Sequence, residues 1–153
     1  MRQDLPRQVQ HELSAEIDLT RWVGSAGLAV AIGIVYFLAA RLSLALLTKP
    51  EGVAVFWPAA GVSAGVLIAL GSRARCPVVV GTMVATIVAN LFGDRNVWSA
   101  VLFGLCNAGE AVLTAWLIGQ LFGSDFRLSK LRNVLGLAAA AIIGAAVSGS
   151  AGL

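Results

Sequence analysis

A carboxyl group has no ordinary place in hydrocarbon. Glu110 is the one charge in an otherwise apolar run from Asn96 to Ser124, and chemistry is first to be sought there. Such a group costs about 2.5–3.5 kcal/mol near a helix centre, so it must be paired, protonated or turned toward a cavity. At helical spacing Gly104, Asn107, Ala111 and Thr114 share a face beside it. In the preceding apolar run Thr82, Thr86 and Asn90 share another. Arg41 closes the first apolar run; at about 1.5 Å per residue it stands roughly 10 Å from the bilayer centre. From there a guanidinium either bends inward to Glu110 or snorkels outward to the interface. In Phe56-Trp57-Pro58-Ala59-Ala60-Gly61 the tryptophan suits interfacial depth and the proline suits a helix start. The apolar lead-in from Val53 to Phe56 also leaves a re-entrant approach open. If the runs cross the membrane alternately, Arg41, Trp57, Asn90 and Asn107 lie together in one half, above Glu110. The expectation is a polar ligand pocket floored by Glu110. Its alternative is hydrogen bonding between helices with no ligand, worth about 0.6 kcal/mol per contact.

Other site chemistries find no residues. His11 is the single histidine, so no Ser/His/Asp set forms, and no glycine loop is built to hold phosphate. Glu110 without a partner at hydrogen-bond distance does not supply acid–base catalysis. No catalytic, cofactor-binding or metal-ligating residues are expected, and no enzyme activity. Cys76 and Cys106 form no CxxC and read as small buried apolar residues. The eleven Lys and Arg are scattered, which leaves no footprint for nucleic acid.

The elements that position these residues follow from composition. The chain has 153 residues, of which 58% are hydrophobic and 12% charged. A soluble domain is about 25% charged, so these proportions point to a multi-pass membrane protein. A helix crosses hydrocarbon with about 20 apolar residues. Five runs qualify: 22–40, 52–72, 76–93, 96–124 and 133–153. The pattern is continuous apolar runs without period-two alternation, which excludes a membrane β-barrel. The fold class is therefore all-α, a transmembrane bundle of about five spans. Residues 1–21 form an N-terminal tail, either a short amphipathic helix or solvated chain, and 22–153 form the membrane domain.

Charge orients the bundle. One side receives Arg2, Arg7, Arg21, Arg73, Arg75, Arg127, Lys130 and Arg132; the other receives Arg41, Lys49 and Arg95. The positive-inside rule then puts the N-terminus in the cytoplasm and Leu153, after five spans, on the outer side. Small residues recur every four positions at Gly61 and Gly65, at Gly81, Ala85 and Ala89, and at Ala140, Gly144, Ser148 and Gly152. Such spacing lets helix backbones approach closely. It serves packing within one chain or pairing of two copies, so the partners are lipid and other membrane helices, a homodimer included.

The FWPAAG segment at 56–61, Arg41-Leu42, the span from Gly81 to Asn90-Leu91 and the step from Asn107 to Glu110 resemble the bacterial membrane-associated sensor (MASE) domain, first type. The likeness covers about residues 35–152. In that family the tryptophan is commonly followed by two prolines, where this chain has Pro58-Ala59. The resemblance implies an integral membrane input module with more helices than these five. Such modules precede a histidine kinase, a diguanylate cyclase or a phosphodiesterase, so the chain reads as an N-terminal portion or a short member. A sensor for a ligand or membrane partner on the periplasmic side is the expected function. A transporter fragment would instead show repeated halves with matching helix breaks, and a structural assembly subunit would rest on the small-residue faces alone.

Overall fold

The computed structural model describes residues 7–45, 57–123 and 126–151. They form five helices: α1 (Arg7–Ala45), α2 (Pro58–Leu70), α3 (Arg75–Leu91), α4 (Val97–Phe122) and α5 (Leu131–Ala151), with a short 3₁₀ turn at Gly71–Ala74. No strand occurs among the described residues.

Local chemistry explains where the helices begin and end. Proline opens α2 at a position where its missing N–H is not needed. Gly71 ends it with φ at 71°, a left-handed conformation that costs glycine little, and its N–H donates to the Leu67 carbonyl. Gly123 ends α4 in the same way, with φ at 68°. At the start of α4 the Asn96 side chain accepts the Trp98 N–H at 2.8 Å, satisfying one of the free donors of the first turn.

Four stretches are long and apolar enough to cross a membrane: Leu19–Ser43, Pro58–Leu91, Val97–Phe122 and Leu131–Ser150. The second is not one rod. Ser63 on α2 and Thr82 on α3 share a hydroxyl–hydroxyl bond of 2.6 Å. In a continuous helix those residues would stand about 28 Å apart, so the chain turns back at Gly71 and α2 runs antiparallel to α3. The five expected spans are thus present as five helices. The second is shorter than the run 52–72 suggested. With 13 residues, α2 rises about 20 Å against a core of about 30 Å; the expected residues 52–56 lie outside the described ones. At the N-terminus the backbone is helical from Arg7 straight into the first span, with no break near residue 21. Residues 1–6 of the expected tail lie outside the described ones.

Packing sets the remaining directions. Ile32 with Val78, and Tyr36 and Ala40 with Ala85 and Ala89, occupy successive levels, so α1 and α3 are parallel. Gly104 on α4 lies against Met83 and Ile87 of α3, while Ala111 joins Val78 one level away. Helix α4 is therefore antiparallel to α3. On α5, Gly136 faces Phe122 and Gly144 faces Thr114 and Glu110, which makes α5 antiparallel to α4. This alternation gathers Arg21, Arg73, Arg75, Arg127, Lys130 and Arg132 at one end of the bundle and leaves Arg41 and Arg95 at the other.

Close approach depends on particular small residues. A Cβ on Gly81 would stand 2.5 Å from the Ala29 carbonyl oxygen, so α1 and α3 touch there backbone to backbone. A Cβ on Gly144 would stand 2.6 Å from Thr114 Oγ1 and 3.3 Å from Glu110 Cγ. Ser148, one turn further along α5, is half-buried. Gly61 and Gly65 behave differently: both are exposed, and nothing lies within 4 Å of an added Cβ. Among the described residues that GxxxG face makes no helix contact, because α2 packs through Ala59, Ser63 and Leu67 instead.

Gly81→Ala is accordingly expected to destabilise the bundle by about 1–3 kcal/mol through overpacking, whereas Gly61→Ala is expected to stay within about 0.5 kcal/mol of the parent. Reversible unfolding in detergent micelles measures both; equal effects would contradict the α1–α3 contact.

Candidate functional site

The polar residues of α1 to α4 meet around a side chain from the first span. Tyr36 is 0% exposed, held on the face of α1 that also buries Ile32 and Ala40. Trp57, at the N-cap position of α2, donates its indole N–H to the Tyr36 hydroxyl at 3.4 Å. Thr86 of α3 and Asn107 of α4 turn their polar groups toward the same hydroxyl. Asn107 also donates from Nδ2 to Thr86 Oγ1 at 3.4 Å, and Asn90 donates from Nδ2 to the Thr86 carbonyl at 2.8 Å. The Ser63–Thr82 bond lies about one turn of α3 deeper. Four helices therefore contribute to one connected set of buried polar groups.

Three of the five expected ligand residues, Trp57, Asn90 and Asn107, come together in this set. Their hydrogen-bonding capacity goes largely to each other and to Tyr36 and Thr86, as burial in a low-dielectric interior demands.

Glu110 stands beside this set and is not tied into it. It is half-buried on α4, with its Cγ against Gly144 of α5, and close enough to Tyr36 for the two to interact electrostatically. Among the described residues its carboxylate has neither a hydrogen-bond donor nor an ion-pair partner.

Arg41 is not drawn in. It is exposed, and five residues at 3.6 per turn rotate it by about 140° from the Tyr36 face of α1. Its guanidinium makes no ion pair with Glu110. Two members of the set were missed in the sequence: Tyr36 and Ser63. Tyr36 is the only tyrosine of the chain, and a phenol inside an apolar run was the available signal. Ser63 falls in register with the buried Ala59 and Leu67, four residues either way.

No group of three His, Cys, Asp or Glu side chains that could hold a metal ion occurs among the described residues. Neither cysteine is fully buried as expected: Cys76 is exposed at the basic end, where α3 begins, and Cys106 is half-buried in α4, both as free thiols.

The fold and this cluster define a multi-pass helical membrane domain whose buried polar groups link its helices. Residues 28–153 match the model of the MASE1 family, and the chain belongs to that family. No curated protein and no solved structure gives a significant match. MASE1 is a membrane-associated sensor domain of signalling proteins, so the chain is a sensory input module. The match begins on α1 and includes every residue of the polar cluster.

Thr86→Val removes the hydroxyl that accepts from Asn107, and the expected loss is about 0.6–1.7 kcal/mol. A double-mutant cycle with Asn107→Leu measures the coupling, which should account for most of that loss. Ser150→Ala is the control, since the exposed Ser150 hydroxyl bonds only the Ala146 carbonyl of its own helix.

Proposed function

We propose that this module senses a ligand or membrane partner from the periplasmic side of the bacterial inner membrane, with Glu110 as the group that reads it. The six basic residues collected at one end support a cytoplasmic placement of that end by the positive-inside rule. The Tyr36–Trp57–Thr86–Asn107 set then lies in the periplasmic half. A histidine kinase or a cyclic-di-GMP enzyme is the kind of output such a module would serve.

The observation that carries the reading is the unpaired carboxylate of Glu110 at the α4–α5 contact, beside a polar set whose other members are bonded. A cation, or a hydrogen-bond donor offered by a ligand or partner helix, would gain most by binding there. The Cγ of the same side chain lies against Gly144, so binding there would bear on the packing of α5 on α4. A ligand moves such an equilibrium only as far as its affinities for the two packings differ. Coupling of about 1–3 kcal/mol corresponds to a 5–150-fold change in response. Tyr36 and Asn107 act in this scheme as the fixed wall against which α4 is registered.

Glu110→Gln keeps the shape of the side chain and removes its charge. In the signalling protein that carries the domain, output is expected to shift at least fivefold in its dependence on stimulus, while the melting midpoint of the membrane domain stays within a few degrees of the parent. Unchanged output with unchanged stability would overturn the reading.

A further inference from the structure

The lipid-facing side of the bundle carries a feature that sensing through Glu110 does not use. Helices α1 and α3 touch through Ala29 and Gly81, and the crease between them is open outward as two adjoining cavities of about 460 and 400 Å³. Ala29 and Val80 line both, so the two form one groove. At the basic end its mouth is bordered by Arg21 and Arg73, with Trp22 beside them. Further in, the floor is made by Gly33 and Gly81, and the walls by Val30, Ile34, Val84 and Val88. From Arg21 to Phe37 the groove follows α1 for about 24 Å, more than the half-thickness of about 15 Å that one leaflet occupies.

Both arginines are exposed, and among the described residues neither has a carboxylate partner. An occupant must therefore offer an anionic group at the mouth and a thin apolar tail along the groove. A second helix is about 10–12 Å across with its side chains and does not enter the crease between two helices already in backbone contact. A single acyl chain fits it. Two guanidinium groups at the membrane surface suit a phosphate oxygen cluster, to which arginine binds with paired N–H donors. Tryptophan at this depth suits the headgroup boundary.

We propose that the α1–α3 groove is a binding site for an anionic phospholipid of the leaflet at the basic end, with its phosphate held between Arg21 and Arg73 and one acyl chain lying over Ala29, Gly33 and Gly81. The site ties the domain to the acidic lipid content of that leaflet. It does not depend on the role of Glu110.

Native mass spectrometry of the purified chain, released from detergent in the presence of equimolar phosphatidylglycerol and phosphatidylcholine with the same acyl chains, tests this directly. The parent is expected to retain phosphatidylglycerol preferentially. Arg21→Gln and Arg73→Gln are each expected to reduce the preference about fivefold. Arg127→Gln with Lys130→Gln removes two charges at the same end of the bundle but outside the groove, and should leave the preference intact. Three results would overturn the site: no preference in the parent, a preference that survives R21Q and R73Q together, or an equal loss in the Arg127/Lys130 variant. A lipid-free dimer that protects Cys76, which lines the groove mouth, from thiol reagents would also overturn it, by giving the groove to a second copy.

Discussion

In hydrocarbon a hydroxyl or an amide has no water to turn to, so each polar side chain of the spans must find its partner inside the bundle. That requirement selects the arrangement of α1 to α4. Trp57 reaches the Tyr36 hydroxyl only if the N-terminal end of α2 stands beside the C-terminal half of α1. Ser63 reaches Thr82 only if the chain doubles back at Gly71. Asn107 reaches Thr86 only if α4 returns antiparallel to α3. Each bond is modest in energy, yet together they fix register between helices whose apolar surfaces are interchangeable with lipid.

Small residues make those bonds possible by letting backbones meet. Gly81 puts α3 against the carbonyl of Ala29, and this contact brings Tyr36 and Thr86 within reach of each other. Gly144 does the same for α5, at the level of Glu110 and Thr114. Beside Gly144 the Glu110 carboxylate has no hydrogen-bond or ion-pair partner among the described residues, whereas the groups around Tyr36 are bonded. At the start of α5, Asn133 donates to the Arg127 carbonyl, while its own amide oxygen is buried without a partner among the described residues.

Much of this was legible in the residues themselves. Charge-free run length located α3, α4 and α5 to within a few residues, and their basic termini sorted into two ends as the alternation required. The face of Thr82, Thr86 and Asn90 was visible from spacing, because helical periodicity fixes which residues of one helix point together. Azimuth relative to other helices is a tertiary property and was not visible. Gly61 and Gly65 have the spacing of a packing motif, yet α2 turns Ala59, Ser63 and Leu67 inward and leaves the glycines outside. Arg41 has the right depth to meet Glu110 but the wrong side of α1. Tyr36 was hidden for the opposite reason: a buried phenol in an apolar run looks like part of the hydrophobic surface until its hydroxyl is seen among donors from other helices.

The folded-back α2 is the condition for everything at Tyr36, since a straight Pro58–Leu91 helix would carry Trp57 away from α1. Oxidative cross-linking of Ser63→Cys with Thr82→Cys, in membranes and with Cys76 and Cys106 replaced by alanine, tests it most directly. The hydroxyl oxygens of those residues lie 2.6 Å apart, so an intramolecular disulfide should form rapidly and nearly to completion. If no cross-link forms, or only cross-links between chains, α2 and α3 do not form a hairpin, and the polar cluster built on it is contradicted.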